Sequence, residues 1–133
     1  METLTVKACL DTHTVIWSLK DDPRLGKKAR EWIEGSARKE LIVSDITLME
    51  TSMLISKGRL QTRQDPGFLL RNIAENFQIV AINPEIAALA TSLDLPHGDP
   101  FDRVIAATAV HHGVPLLTRD KLLKRSKAIE TIW

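Results

Sequence analysis

Short apolar runs that close on a carboxylate are the feature that most restricts how this chain folds. Residues 6–10 lead straight into Asp11, and Leu116-Leu117-Thr118-Arg119 leads into Asp120. Glu50 has Ile46, Met53 and Leu54 three and four positions away, which puts it on the apolar face of a helix. Asp99 and Asp102 open another largely apolar helical stretch. A carboxylate is costly to bury without a partner. A fold that places five acids this way gathers them where a cation or a basic group offsets their charge.

The runs alternate with helical patterns along the whole chain. Strands are expected at residues 6–10, 40–43, 77–82, 114–118 and 129–133. Helices are expected at 12–19, 26–34, 46–57, 66–76 and 84–93, with a long one opening at Asp99-Pro100 and closing at Gly113, and a short turn at 121–125. The signals are local. Asp suits a helix cap and Pro the first helical position, Gly35 and Gly58 are C-terminal stops, and Ser44 or Asp45 can cap the helix after the second strand. The resulting order, β-α-α-β-α-α-β-α-α-β-α-β, predicts an α/β fold with a parallel sheet covered by helices on both faces. Ligands of such sheets bind beyond the carboxyl ends of the strands, near the point where strand order reverses. Asp11 and Asp120 fall just past strand ends, so the architecture directs the acids towards one edge.

Composition sets the limits. At 133 residues the chain makes one compact domain, 1–133, and its net charge of +1 gives no global attraction to nucleic acid. Attraction to phosphate therefore needs a local patch. The single cysteine, Cys9, excludes an internal disulfide and a cysteine-based zinc site, and reads as a buried small hydrophobe. No signal peptide and no membrane-spanning apolar stretch is apparent, so a cytoplasmic location is expected.

Taken singly, most of the acids have a structural explanation. Asp11, Asp99 and Asp120 can each cap the helix that follows, and Asp102 can favour a helix dipole. Glu50 is harder to explain as a solvated residue. Together they match the chemistry of a hard divalent cation, which takes oxygen ligands from carboxylates, water and phosphate. Such a cation activates water and offsets charge in phosphodiester hydrolysis.

Four blocks also carry a resemblance: residues 10–17, residues 44–50 followed by Lys57-Gly58-Arg59-Leu60, Asp99-Pro100-Phe101-Asp102-Arg103-Val104-Ile105-Ala106-Ala107, and Leu117-Thr118-Arg119-Asp120. In this order they resemble PIN-domain proteins, and more narrowly the VapC-type ribonuclease toxins of toxin–antitoxin pairs. The resemblance implies a three-layer α/β/α fold with a central parallel sheet. It also implies metal-dependent endoribonuclease activity, with a water attacking phosphorus in line to leave a 5′-phosphate and a 3′-hydroxyl. It maps the first three acids to Asp11, Glu50 and Asp102 and the fourth to Asp120, with Thr118 as its accompanying hydroxyl. These four would hold Mg²⁺ or Mn²⁺, and Asp99 either supports the ion or caps the helix. A cognate antitoxin covering the acidic site and a homodimer are the implied partners, with RNA as substrate.

Arg103, Arg119 and Lys121 flank these acids and, with Thr118, are the candidates for gripping RNA phosphates. His13 is expected to pack against Trp17, and His97, in a loop beside Asp99, to lie near substrate. An aspartyl-phosphate phosphatase is disfavoured because His13 stands where a second Asp is characteristic. A nucleotide-binding protein is disfavoured because no glycine-rich phosphate loop is present. The remaining alternative is a PIN-like scaffold that binds RNA or protein without cutting, against which the four acids argue.

Overall fold

The computed structural model describes residues 5–63 and 65–133. Five parallel strands form one sheet: β1 (Ala8–Leu10), β2 (Leu41–Ser44), β3 (Gln78–Val80), β4 (Leu116–Leu117) and β5 (Thr131–Ile132), in the order β3-β2-β1-β4-β5. The helices among the described residues are α1 (Thr12–Leu19), α2 (Lys27–Glu34), α3 (Ile46–Ser56), α4 (Pro66–Asn76), α5 (Pro84–Ser92), α6 (Pro100–His111) and α7 (Lys121–Arg125), and a 3₁₀ turn, Arg38–Glu40, leads into β2.

Side chains alternate across a strand, so each strand feeds both faces. Ala8, Leu10, Leu41, Val43 and Leu117 pack on one side with α1, α2 and α4, against Val15, Ala29, Leu69 and Ile73. Cys9, Ile42 and Leu116 pack on the other with α6, against Ile105, Ala106 and Ala109. The result is the three-layer α/β/α arrangement. Helix α5 adds a small third cluster, Ile86 and Ala90 against Ala107 of α6.

The strands are shorter than the apolar runs that contain them. Residues 6–10 pair only at Ala8–Leu10, 114–118 only at Leu116–Leu117, and 129–133 only at Thr131–Ile132. The flanking residues still serve the core or add single backbone bonds at the strand ends. Ile129 is buried ahead of β5, and Pro115, which has no N–H to give, uses its carbonyl to accept from Cys9 N at 3.0 Å. Helix α4 begins at Pro66 and ends at Asn76, as the proline at its first position predicts. Gly58 and Gly113 take positive φ, 71° and 67°, and reverse the chain after α3 and α6. The cap of α3 comes from Ser44, whose Oγ accepts from Ile46 N at 3.3 Å. Asp45 instead reaches the β3 side, where its Oδ2 accepts from Ile82 N at 3.3 Å.

Strand order reverses beside β1. The chain runs from β1 outward to β2 and β3, then returns to lay β4 on the opposite side. Cys9 pairs with Leu116 and Leu10 with Leu117, so the next residues in register are Asp11 and Thr118. The residues after β1 and β4 therefore flank the crevice at the switch point.

Candidate active site

Asp11 is held from both sides. It caps α1, accepting from Thr14 N at 2.9 Å and from the Thr14 hydroxyl at 2.6 Å, both at Oδ1. Its Oδ2 accepts from the Thr118 hydroxyl at 2.5 Å. Thr118 Oγ1 in turn accepts from Asp120 N at 3.1 Å, so one buried hydroxyl couples the ends of β1 and β4. Thr12 and Thr47, both buried, meet hydroxyl to hydroxyl at 3.1 Å and tie the start of α1 to α3. Glu50 follows Thr47 by one turn and so faces the same crevice.

The second wall is the start of α6. Asp99 is exposed and caps the helix, its Oδ1 accepting from Phe101 N at 2.8 Å. Asp102, one turn in, is half-buried and returns no bond to the cap residue. Asp120 caps α7 through Oδ1, accepting from Leu122 N at 2.8 Å and Leu123 N at 3.1 Å.

Asp11, Glu50, Asp99, Asp102 and Asp120 line one open cleft of about 690 Å³, joined by Arg119 and Lys121 at its rim. Among the described residues none of these five acids forms an ion pair with a lysine or arginine. Burial, and then the charges of Asp99 and Glu50, push the Asp102 carboxyl from an ordinary 3.8 up to about 6; His97 pulls the other way and Asp120 adds to the rise. Repulsion among unpaired carboxylates is what a cation would relieve. The donor set is oxygen-rich and therefore fits a hard divalent ion; ligand atoms of His97, Asp102 and Asp120 lie within 4.8 Å of one another, and Asp11 and Glu50 line the cleft beside Asp102 and Asp120.

The basic residues divide. Arg119 and Lys121 are exposed on the rim, with the Arg119 guanidinium 5.8 Å from the Trp17 ring. They continue into a neighbouring depression that adds Lys27 and Lys28 from α2 and Lys124 from α7. Arg103 is turned away. Its Nε donates to Ala90 O at 2.6 Å, Nη1 to His97 O at 2.7 Å and Nη2 to Leu93 O at 2.5 Å. Expected to grip phosphate, Arg103 is instead spent on three carbonyls at the end of α5 and in the loop beyond it.

Sequence reasoning put His97 near substrate without its acidic partner, and missed Lys27 and Lys28 altogether. His97 Nε2 lies 2.7 Å from Asp120 Oδ2, inside the acidic cluster. The only sequence signal for it is a histidine two residues before the cap of the helix that carries Asp102. Lys27 and Lys28 reach the site region because α2 folds beside the C-terminal residues, with Lys28 N donating to Trp133 O at 3.1 Å. His13 packs on Trp17 with ring centroids 5.6 Å apart, as expected. Cys9 is fully buried, and burial raises its thiol pKa far above the ordinary value, so it is no nucleophile.

A parallel sheet in this order, with carboxylates gathered beyond the ends of β1 and β4, defines a PIN-like domain. Residues 8–128 match the PIN domain model, and the chain belongs to that family. It is 35% identical to Ribonuclease VapC22 of Mycobacterium tuberculosis over 127 residues, covering 93% of this chain and 96% of that protein. The crystal structure of DNA-bound VapBC from Salmonella typhimurium superposes with a TM-score of 0.74 at 20% identity, covering 96% of this chain and 98% of that one. VapBC2 from Rickettsia felis bound to a promoter DNA fragment gives 0.72 at 18% identity, with the same coverage. At these identities the two structures establish the likeness of fold.

Proposed function

We propose that this chain is a Mg²⁺- or Mn²⁺-dependent endoribonuclease, the toxin of a toxin–antitoxin pair, folded as one domain and acting in the cytoplasm. The observation that carries this reading is the set of carboxylates Asp11, Glu50, Asp102 and Asp120 facing one cleft without a lysine or arginine partner, where burial and then neighbouring carboxylates raise Asp102 to about 6. The 35% identity to a protein named as a ribonuclease supports RNA as the substrate. The likeness of fold to VapBC structures and to a toxin–antitoxin complex from Klebsiella pneumoniae supports an antitoxin partner. Among the described residues no helix is long and apolar enough to cross a membrane.

The bound cation would supply a Lewis acid that acidifies water and offsets the charge of the reacting phosphate. The chain supplies the rest. Thr14 and Thr118 fix both oxygens of Asp11, so that carboxylate is oriented before any ligand arrives. Arg119 and Lys121, with Lys27 and Lys28 beyond them, provide the local positive charge that a net charge of +1 does not.

The test is RNA cleavage by the purified chain with and without divalent cation. Cleavage should require Mg²⁺ or Mn²⁺, stop with EDTA, and be lost in Asp11→Asn and Glu50→Gln. Equal rates in the parent and these variants would refute the assignment. Growth arrest on expression, relieved by the same substitutions, separates a toxin from a housekeeping nuclease.

A further inference from the structure

We propose that His97 is a nitrogen ligand of the cation held by the carboxylates, so that the centre prefers Mn²⁺ and other imidazole-accepting divalent ions to Mg²⁺. This inference rests on the metal-dependent reading above and goes further, assigning a donor of different chemistry.

The spacing is the first support. His97, Asp102 and Asp120 each offer one ligand atom, and these atoms lie within 4.8 Å of one another. Bonds of roughly 2.1 Å place neighbouring ligands about 3 Å apart and opposed ones about 4.2 Å apart. The three atoms thus lie close to the spacing of one coordination sphere, within a small side-chain adjustment of it. The second support is the state of the imidazole. Its Nε2 is shielded from solvent and, although 2.7 Å from Asp120 Oδ2, is not aligned with it or any other described atom as a hydrogen bond. A shielded ring nitrogen beside two carboxylates, without a directed partner, has the environment of a ligand.

The third support is how the ring is held. Arg103 fastens His97 by its carbonyl, and Leu93 and Ala90 by theirs. Arg103 follows Asp102 on α6, so the same turn that presents the carboxylate also anchors the loop that presents the imidazole. Arg103 is therefore a positioning residue for the centre. Residues 97–103 work as one unit, with His97 and Asp102 as donors, Asp99 as helix cap and Arg103 as clamp. An all-oxygen set suits Mg²⁺, which tolerates imidazole poorly. Adding nitrogen shifts preference towards Mn²⁺ and later divalent ions.

Pulsed electron paramagnetic resonance on the untagged, full-length protein loaded with Mn²⁺ tests this without relying on activity. The expected result is ¹⁴N coupling from a directly bound imidazole, absent in His97→Gln and kept in His13→Gln, the histidine that lines the cleft. In His97→Gln the Mn²⁺ dissociation constant should rise about tenfold or more, while that for Mg²⁺ changes by less than about threefold. Mn²⁺ bound to the parent without ¹⁴N coupling, or coupling lost in His13→Gln, would overturn the assignment of His97 and leave the carboxylate centre standing. A parent protein that binds no Mn²⁺ would overturn both.

Discussion

The Thr118 hydroxyl donates to Asp11 Oδ2 at 2.5 Å, joining two residues 107 positions apart at the ends of adjacent strands. This bond converts the register of β1 and β4 into the orientation of a carboxylate. Thr118→Ala should destabilise the fold by about 1.5–3 kcal/mol, the range for a hydrogen bond to a charged group. It should also weaken divalent-cation binding about tenfold, as loss of a ligand's supporting partner does. Thr118→Ser should retain both properties. Denaturant titration and calorimetric cation binding measure the two effects separately.

Asp102 predicts a conflict between stability and function. Its carboxyl titrates near 6 in the fold and near 3.8 when unfolded. Above pH 6 the folded state bears an unfavourable charge. As pH falls from about 6 to about 4, the folded state takes up a proton that the unfolded state does not, so stability from this group rises as pH falls. Asp102→Asn should therefore raise the melting temperature of cation-free protein at pH 7.5, with the difference shrinking below pH 6. The same variant should lose the stabilisation that added cation gives the parent.

Cation addition should itself stabilise. A ligand that binds only the folded state at a hundred times its dissociation constant contributes about 2.7 kcal/mol, which corresponds to about 10 °C in a domain of this size. Differential scanning fluorimetry with Mn²⁺ should show that rise, EDTA should reverse it, and Asp11→Asn should abolish it.

Arg103 should behave as a structural residue. Arg103→Ala removes three charge-assisted bonds to carbonyls and should cost about 2–4 kcal/mol. Arg103→Lys should recover little, because one ammonium cannot span three acceptors in the plane of the guanidinium fork. Chemical denaturation of the two variants checks the ranking.

The exposed rim should act on substrate capture. Lys121→Ala combined with Lys28→Ala should raise KM several-fold at low salt and leave kcat within about twofold. The difference should close as salt rises, because screened surface charges act over about 10 Å at 0.1 M. Stability should change by no more than about 0.5 kcal/mol per substitution. Steady-state cleavage at two ionic strengths provides the comparison.

Much of this arrangement is legible in the residues. Proline at the first helical position marks α4 and α6, glycine marks the ends of α3 and α6, and apolar runs mark the strands. The acids stand out because they interrupt apolar patterns. Strand order is not legible, since ladders of two or three residues carry too little pattern to choose a neighbour. Nor is the role of Arg103, because its partners are backbone carbonyls, which every residue has and no side-chain letter distinguishes. The pairing of His97 with Asp120 is set only when α6 and α7 meet in the fold.

The position of β4 between β1 and β5 has a consequence in time. Asp11 is made well before Thr118 and Asp120. While the chain is still being translated, its middle strand has one open edge, Asp11 lacks the Thr118 hydroxyl, and the cleft has only part of its lining. Closing the sheet requires contacts across nearly the whole chain, a step that comes late and slowly in folding. A site built this way is assembled only when the residues that follow β4 have joined those that follow β1.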